Sequence, residues 1–238
     1  MRFQGQKIVV IGGSSGMGLA TSKMAAAEGA VVYIGGRSEE RLRQARAQIK
    51  GNVELSTVNV VDEDSVKAFF DKIGEFDHLT TPGSEAIIGK FLELDISEAK
   101  KAFDSKFWGQ YRAAKYGAPK IREGGSITFF AGIWSQRPIF GSAPVAAINS
   151  AIEGLGRALA VELAPIRVNT VSPGIVDTPM YSGMDPGKRK AMFQGIAASI
   201  PGKRVGRPED IAQTVLYLMA NGYTTGSTLY VDGGATLR

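Results

Sequence analysis

Short β-branched apolar runs alternate along the chain with longer stretches whose apolar residues recur every three or four positions. That alternation is the pattern of a parallel sheet with crossover helices. Residues 7–11 predict the first strand and 16–28 its helix; residues 30–34 predict the second strand and 38–49 its helix, with Ser38 as N-cap. Residues 53–58 predict the third strand, 62–73 a helix capped by Asp62, and 78–81 a fourth strand closed by Pro82 and Gly83. A long helix is expected over 96–116, a fifth strand over 126–130, and a second long helix over 143–163, stopping before Pro165. Residues 167–171 predict the sixth strand, 208–219 the last helix with Pro208 in its first turn, and 229–231 the last strand. Residues 178–201, mixed in Met, Gly, Pro and basic side chains, show no period and are expected to form an irregular lid over a substrate. No repeat, low-complexity tract or linker interrupts the series, so residues 1–238 read as one α/β domain, a Rossmann-type doubly wound parallel sheet with helices on both faces.

Composition narrows the chemistry. A chain of 238 residues with 44% hydrophobic and 21% charged residues buries a core without a disulfide or metal staple. It has no cysteine, which excludes disulfides, thiolate catalysis and Cys-based zinc sites, and His78 is its only histidine, which excludes a multi-histidine metal site. The apolar run before Gly12 is too short for a signal peptide or a membrane span, so a cytoplasmic protein without a membrane partner is expected. The net charge of +5 is dispersed. Arg37, Arg41, Arg43 and Arg46 stand beside Glu39 and Glu40, and Lys188, Arg189 and Lys190 form a second small group. These read as solvated helix faces, and no nucleic-acid partner is expected.

Gly12-Gly13-Ser14-Ser15-Gly16-Met17-Gly18 follows the first strand and opens a helix. In that position glycines let the backbone turn tightly and approach a pyrophosphate, whose charge rests on the helix N-terminus. The second strand should then distinguish the two nicotinamide cofactors. A carboxylate there would accept from a ribose 2′-OH, but the chain reads Gly35-Gly36-Arg37-Ser38. A guanidinium at Arg37, with Ser14, Ser15 and Ser38 as further donors, suits a 2′-phosphate, so NADPH is expected in preference to NADH.

From these motifs onward the chain resembles the short-chain dehydrogenase/reductase family over nearly its whole length. The family's T-G-x-x-x-G-x-G turn is matched from Ile11 to Gly18, with isoleucine in place of threonine. The sixth-strand run Arg167-Val168-Asn169-Thr170-Val171-Ser172-Pro173-Gly174 fits, as do Arg207-Pro208-Glu209-Asp210-Ile211, Thr225-Gly226 and Val231-Asp232-Gly233-Gly234. The resemblance implies that Pro173, Gly174 and Ile175 lie against the nicotinamide and that Thr178 reaches its amide or the phosphates. It implies an adenine-edge role for Asn59, followed by Val60 where the family has Asp-Val. Thr80-Thr81-Pro82-Gly83 stands in the place of Asn-Asn-Ala-Gly, and Thr81 would take over part of the asparagine's stabilising role. It also implies a homo-oligomer, a dimer or tetramer, in which Trp108 and Tyr111 would supply aromatic contacts.

The family's catalytic set is replaced throughout. Counted in register, Val145 stands at the tyrosine, Asn149 at the lysine, Gly132 at the serine and Lys106 at the helix-borne asparagine. Valine and glycine donate no proton, and a missing general acid costs about 10²–10⁴-fold. The pairs Tyr111/Lys115 and Tyr116/Lys120 repeat the Tyr-x-x-x-Lys spacing but precede the fifth strand, so they are not the family pair. Lys106 is a candidate substitute, with Ser135, Ser142 and Tyr181 as other polar groups near the pocket; a surface charge is the alternative for Lys106. The sequence therefore predicts an NADPH-binding oxidoreductase, atypical and poor at ordinary alcohol or ketone chemistry, that reduces an activated acceptor. A non-catalytic NADPH sensor or scaffold stays open beside it.

Overall fold

The computed structural model describes residues 1–82 and 87–237. Seven strands form one parallel sheet: β1 (Lys7–Ile11), β2 (Val31–Gly36), β3 (Asn52–Thr57), β4 (Phe76–Thr80), β5 (Ile121–Phe130), β6 (Arg167–Pro173) and β7 (Thr228–Val231). Their order is β3-β2-β1-β4-β5-β6-β7. Ile8 lies between Val32 and His78, and Val10 between Ile34 and Thr80.

Alternate residues of a strand face opposite sides, and here both sides are covered. Ile8, Val10, Val32 and Ile34 join a core that includes Leu42 and Ala45 of α2 (Glu39–Arg46) and Ile211, Val215 and Leu216 of α8 (Pro208–Ala220). The helix α1 (Gly16–Ala27) packs on α8 within this layer. Val9, Ile11, Leu79 and Ile127 face the other layer, with Val66, Phe69 and Phe70 of α3 (Glu63–Ile73) and Ile148 and Ile152 of α6 (Ala143–Glu162). The short helices start on their own side chains. Ser38 accepts from Arg41 N at 3.3 Å, and Asp62 accepts from Asp64 N and Ser65 N.

Three expectations change. Residues 178–201 are not wholly irregular: after a 3₁₀ turn at Pro179–Tyr181 they form α7 (Pro186–Ser199), started by Asp185, which accepts from Lys188 N at 2.9 Å. The helix escaped notice because none of its residues is buried, so it carries no apolar stripe. The helix expected over 96–116 is α4 (Ile96–Phe103), a π-helical turn at Asp104–Trp108, and α5 (Gly109–Gly117). Strand β5 begins at Ile121 rather than at residue 126.

The sixth-strand signature is structural. Arg167 donates to the carbonyls of Leu218 and Met219 at 2.6 and 2.7 Å, satisfying the end of α8. Asn169 spans the 224–227 turn, donating to Thr224 O at 2.8 Å and accepting from Ser227 N at 3.1 Å. Among the described residues no helix is long and apolar enough to cross a membrane, and no group of three or more His, Cys, Asp or Glu is placed to hold a metal.

Candidate functional site

Strand β1 is flanked by β2 and β4, the point where the sheet order reverses. Parallel sheets bind ligands beyond the carboxyl ends of their strands at such a point. The turn after β1 is shaped for close approach. Gly12 and Gly16 have φ of +93° and +50°, a region L side chains rarely enter. A Cβ at Gly18 would sit 2.1 Å from Gly12 O and 3.0 Å from Pro82 Cγ, so only glycine fits. Ser15 precedes α1 without a side-chain cap, and no acidic residue occupies the first turn. Its free N–H groups and dipole suit an anion, with Met17 just inside the helix.

At the end of β2, Ser14 Oγ lies 3.8 Å from a Cβ placed on Gly36, which brings the first turn to the second strand. Arg37 and Ser38 are exposed there. The nearest following carboxylate, Glu39, lies on α2 and pairs with Arg43 at 2.6 Å. Ser38 accepts a backbone hydrogen bond, which leaves its own O–H available to donate.

The remaining predicted contacts also follow strand ends. After β3, Asn59 N donates to Ser65 Oγ at 3.0 Å, and Val60 O accepts from Arg112 at 3.1 Å. After β4, Thr81 and Pro82 are buried, and Thr81 Oγ1 donates to Gln110 Oε1 at 2.7 Å. Gly83 lies outside the described residues. Pro173 ends β6, and Gly174 N donates to Val231 O at 3.1 Å, while Gly206 N donates to Ile175 O at 2.9 Å. A Cβ on Gly16 would meet Thr178 Cγ2 at 3.4 Å, so Thr178 packs directly on the glycine turn. These residues together fit a nicotinamide dinucleotide: a glycine cradle, an uncapped helix start and a cationic ribose end.

Lys106, Gly132, Val145 and Asn149, the positions at which the family's catalytic set would stand, belong to one neighbourhood. Lys106 is not a surface charge: it is 7% exposed, and its Nζ donates to Asn149 Oδ1 at 2.7 Å and to Ala131 O at 3.1 Å. Burial lowers its pKa to about 8, because the charged form has lost water. A Cβ on Gly132 would lie 3.0 Å from Asn149 Nδ2. The φ of Gly132, 165°, is extended backbone open to any residue, so space rather than angle favours glycine. Val145, one turn before Asn149 on α6, is buried and presents only hydrocarbon.

The look-alike pairs are engaged elsewhere. Tyr116 donates to Glu63, Lys120 pairs with Asp71 at 2.6 Å, and Tyr111 stacks edge-on to Trp108 at 5.3 Å. Ser142 is tied to Ile139 O at 2.7 Å, and Tyr181 packs on Phe193. His78 is buried against Ser126 Oγ at 2.9 Å, with a pKa lowered to about 4 by burial and then by Arg167.

Two functional-looking groups were not anticipated. Gln110, one turn after Lys106, joins the layers: Oε1 accepts from Thr81 and Phe130 N, and Nε2 donates to Phe130 O and Lys106 O. Glu153, 4% exposed, accepts from Ser135, Ser172, Tyr230 and Gln136. Burial, then the Glu153 charge, raises the Tyr230 pKa. The signal for Gln110 and Lys106 was a polar pair four apart on a helix face that otherwise packs inward. The Glu153 cluster gathers four segments and left no local signal.

A family model described as enoyl-(acyl carrier protein) reductase matches residues 11–236. The short-chain dehydrogenase/reductase ATR9 of Stachybotrys chlorohalonatus is 32% identical, the alignment covering 99% of each chain. A small-chain dehydrogenase solved in complex with NADPH is 38% identical over 99% of this chain and 100% of its own, with a TM-score of 0.86. The MalC reductase/Diels-Alderase of Malbranchea aurantiaca superposes with a TM-score of 0.94 at 25% identity, covering 100% of this chain and 98% of that one. Sheet order, glycine cradle and these matches together make the chain a member of the short-chain dehydrogenase/reductase family.

Proposed function

We propose that this protein is an NADPH-dependent reductase of an activated acceptor, quinone-like or an electron-poor double bond, rather than of simple ketones. NADPH, when bound, supplies a hydride. The chain's residues hold and orient: the Gly12–Gly18 turn and the α1 N-terminus take the pyrophosphate, and Arg37 with Ser14, Ser15 and Ser38 takes the 2′-phosphate. Asn59, Thr81, Pro173, Gly174, Ile175 and Thr178 frame the rest. The NADPH complex of the 38% identical neighbour supports this choice of cofactor. The observation that carries the reading is the reaction end, where Val145 and Gly132 offer no proton. A simple ketone becomes a strongly basic alkoxide and needs a positioned acid. A quinone becomes a hydroquinone anion, a much weaker base that water protonates unaided.

Self-association belongs to the same reading. Tyr111, Ala114, Ala118, Leu159 and Leu163 line an apolar groove of about 410 Å³ between α5 and α6, with Trp108 exposed on the turn before α5.

Titration calorimetry with NADPH and NADH, followed by a screen of NADPH oxidation over quinones and electron-poor alkenes, tests the proposal. It expects tighter NADPH and turnover of at least one acceptor class. Tight NADPH binding with flat traces throughout would replace it with the non-catalytic sensor or scaffold, which the loss of all four catalytic groups also favours.

A further inference from the structure

We infer that Lys106 and Asn149 act as one hydrogen-bonding device, in which the ammonium orients the amide and Asn149 Nδ2 meets the oxygen of an acceptor over Gly132. This deepens the reductase reading and rests on it for the identity of the acceptor.

The amide's orientation follows from donor chemistry. An ammonium has three donors and no lone pair, so the Asn149 atom 2.7 Å from Lys106 Nζ must be the oxygen. The NH₂ group is thereby turned away from Lys106. It lies 3.0 Å from where a side chain on Gly132 would begin, the position the family resemblance gives to a carbonyl-orienting serine. Glycine at 132 thus creates the room that the amide uses. Among the described residues Nδ2 donates to no acceptor, although Asn149 is 1% exposed. A donor without an acceptor, facing the space over Gly132, is placed to receive a ligand oxygen.

The lysine gives that donor strength. Its second bond, to Ala131 O at 3.1 Å, fixes it to the end of β5, and Gln110 Nε2 holds the Lys106 carbonyl at 3.2 Å. A buried cation on the amide oxygen draws electron density from the nitrogen and sharpens its N–H groups. The π-helical turn at Asp104–Trp108 carries Lys106 inward. Asn149 is the group that touches the acceptor, and Lys106 is a positioning residue. Neither changes its protonation over a turnover. Quinone, NADPH and one proton from water give hydroquinone and NADP⁺.

The test compares the wild type with Asn149→Leu and with the double variant Lys106→Met/Asn149→Leu. The double variant removes the buried charge together with its partner, so it keeps the site folded if the single variant fails. Circular dichroism and retained NADPH binding report the fold. The probe is 2-hydroxy-1,4-naphthoquinone, an oxyanion, titrated onto the NADP⁺ complex and followed by quenching of Trp108 and Trp134. The double variant is expected to bind it about 10–100-fold more weakly, the range for losing a hydrogen bond to a charged group. Single-turnover reduction of 9,10-phenanthrenequinone should fall about 10²-fold with it, as for loss of an oxyanion donor. Probe affinity within about threefold of wild type would overturn the device, since that difference is below the range of such a bond. Failure of the wild type to bind the probe would overturn it as well. A wild type inert toward quinones and electron-poor alkenes alike, whose probe binding still depends on the pair, would keep the device and refute the reductase reading.

Discussion

Gly18 and Gly12 are held so close that a Cβ on the former would lie 2.1 Å from the carbonyl oxygen of the latter. This contact sets the curvature of the turn after β1. Gly18→Ala must push the turn open, at the about 1–3 kcal/mol typical of overpacking. Urea unfolding should register that loss, and calorimetry should register NADPH affinity falling at least about tenfold, since 1.4 kcal/mol is tenfold. A variant with both quantities unchanged would mean the turn relaxes without cost.

Arg37 is the cationic group at the β2 end, where the sequence places no carboxylate before Glu39. Arg37→Ala should weaken NADPH by about 10–100-fold, the range for hydrogen bonds to a charged partner. NADH lacks the 2′-phosphate and should lose little. Equal loss for both cofactors would contradict the assignment.

His78 makes acid stability predictable in sign. Its pKa falls from 6.5 to about 4 because burial disfavours the imidazolium. The unfolded chain therefore binds more protons between those values, and stability declines as pH drops through that window. A shift of this size corresponds to about 3 kcal/mol. His78→Asn should flatten this part of the stability–pH curve relative to wild type. The ring's contacts with Ser126 and Gln6 are lost too, so the slope, not the level, is the diagnostic quantity.

Lys106 gives the opposite end of the scale. Burial lowers its pKa from 10.5 to about 8, so above 8 the folded protein releases this proton more readily than the unfolded chain. Stability attributable to this residue rises with pH across that interval, and below it the burial penalty is fully present. The unfolding free energy of wild type minus that of Lys106→Met should increase from pH 8 to pH 10. A constant difference would place the ammonium in contact with water.

The sheet and its glycine turn were legible because their signals are local. Residues 7–18 carry a strand, a turn and a helix start within one short run, and β6 carries a signature that the structure spends on capping α8. α7 was not legible because it buries nothing. The π-helical turn was hidden because a single helix over 96–116 explains the same apolar positions. The exchange of lysine and asparagine between positions 106 and 149 was visible as two substitutions. Their pairing across 43 residues of chain appears only when α6 is packed against the helix before β5. Glu153 needed the same long-range knowledge, since its donors come from the loop after β5, from β6 and from β7.

The central claim is that a complete nucleotide cradle faces a reaction end stripped of its proton donor. Its most direct test is the rate of NADPH oxidation by the purified wild type with 9,10-phenanthrenequinone, set against that with cyclohexanone under the same conditions. The account predicts a quinone rate exceeding the ketone rate by at least about 10²-fold, the lower bound for a missing general acid. Comparable rates for the two acceptors would contradict it.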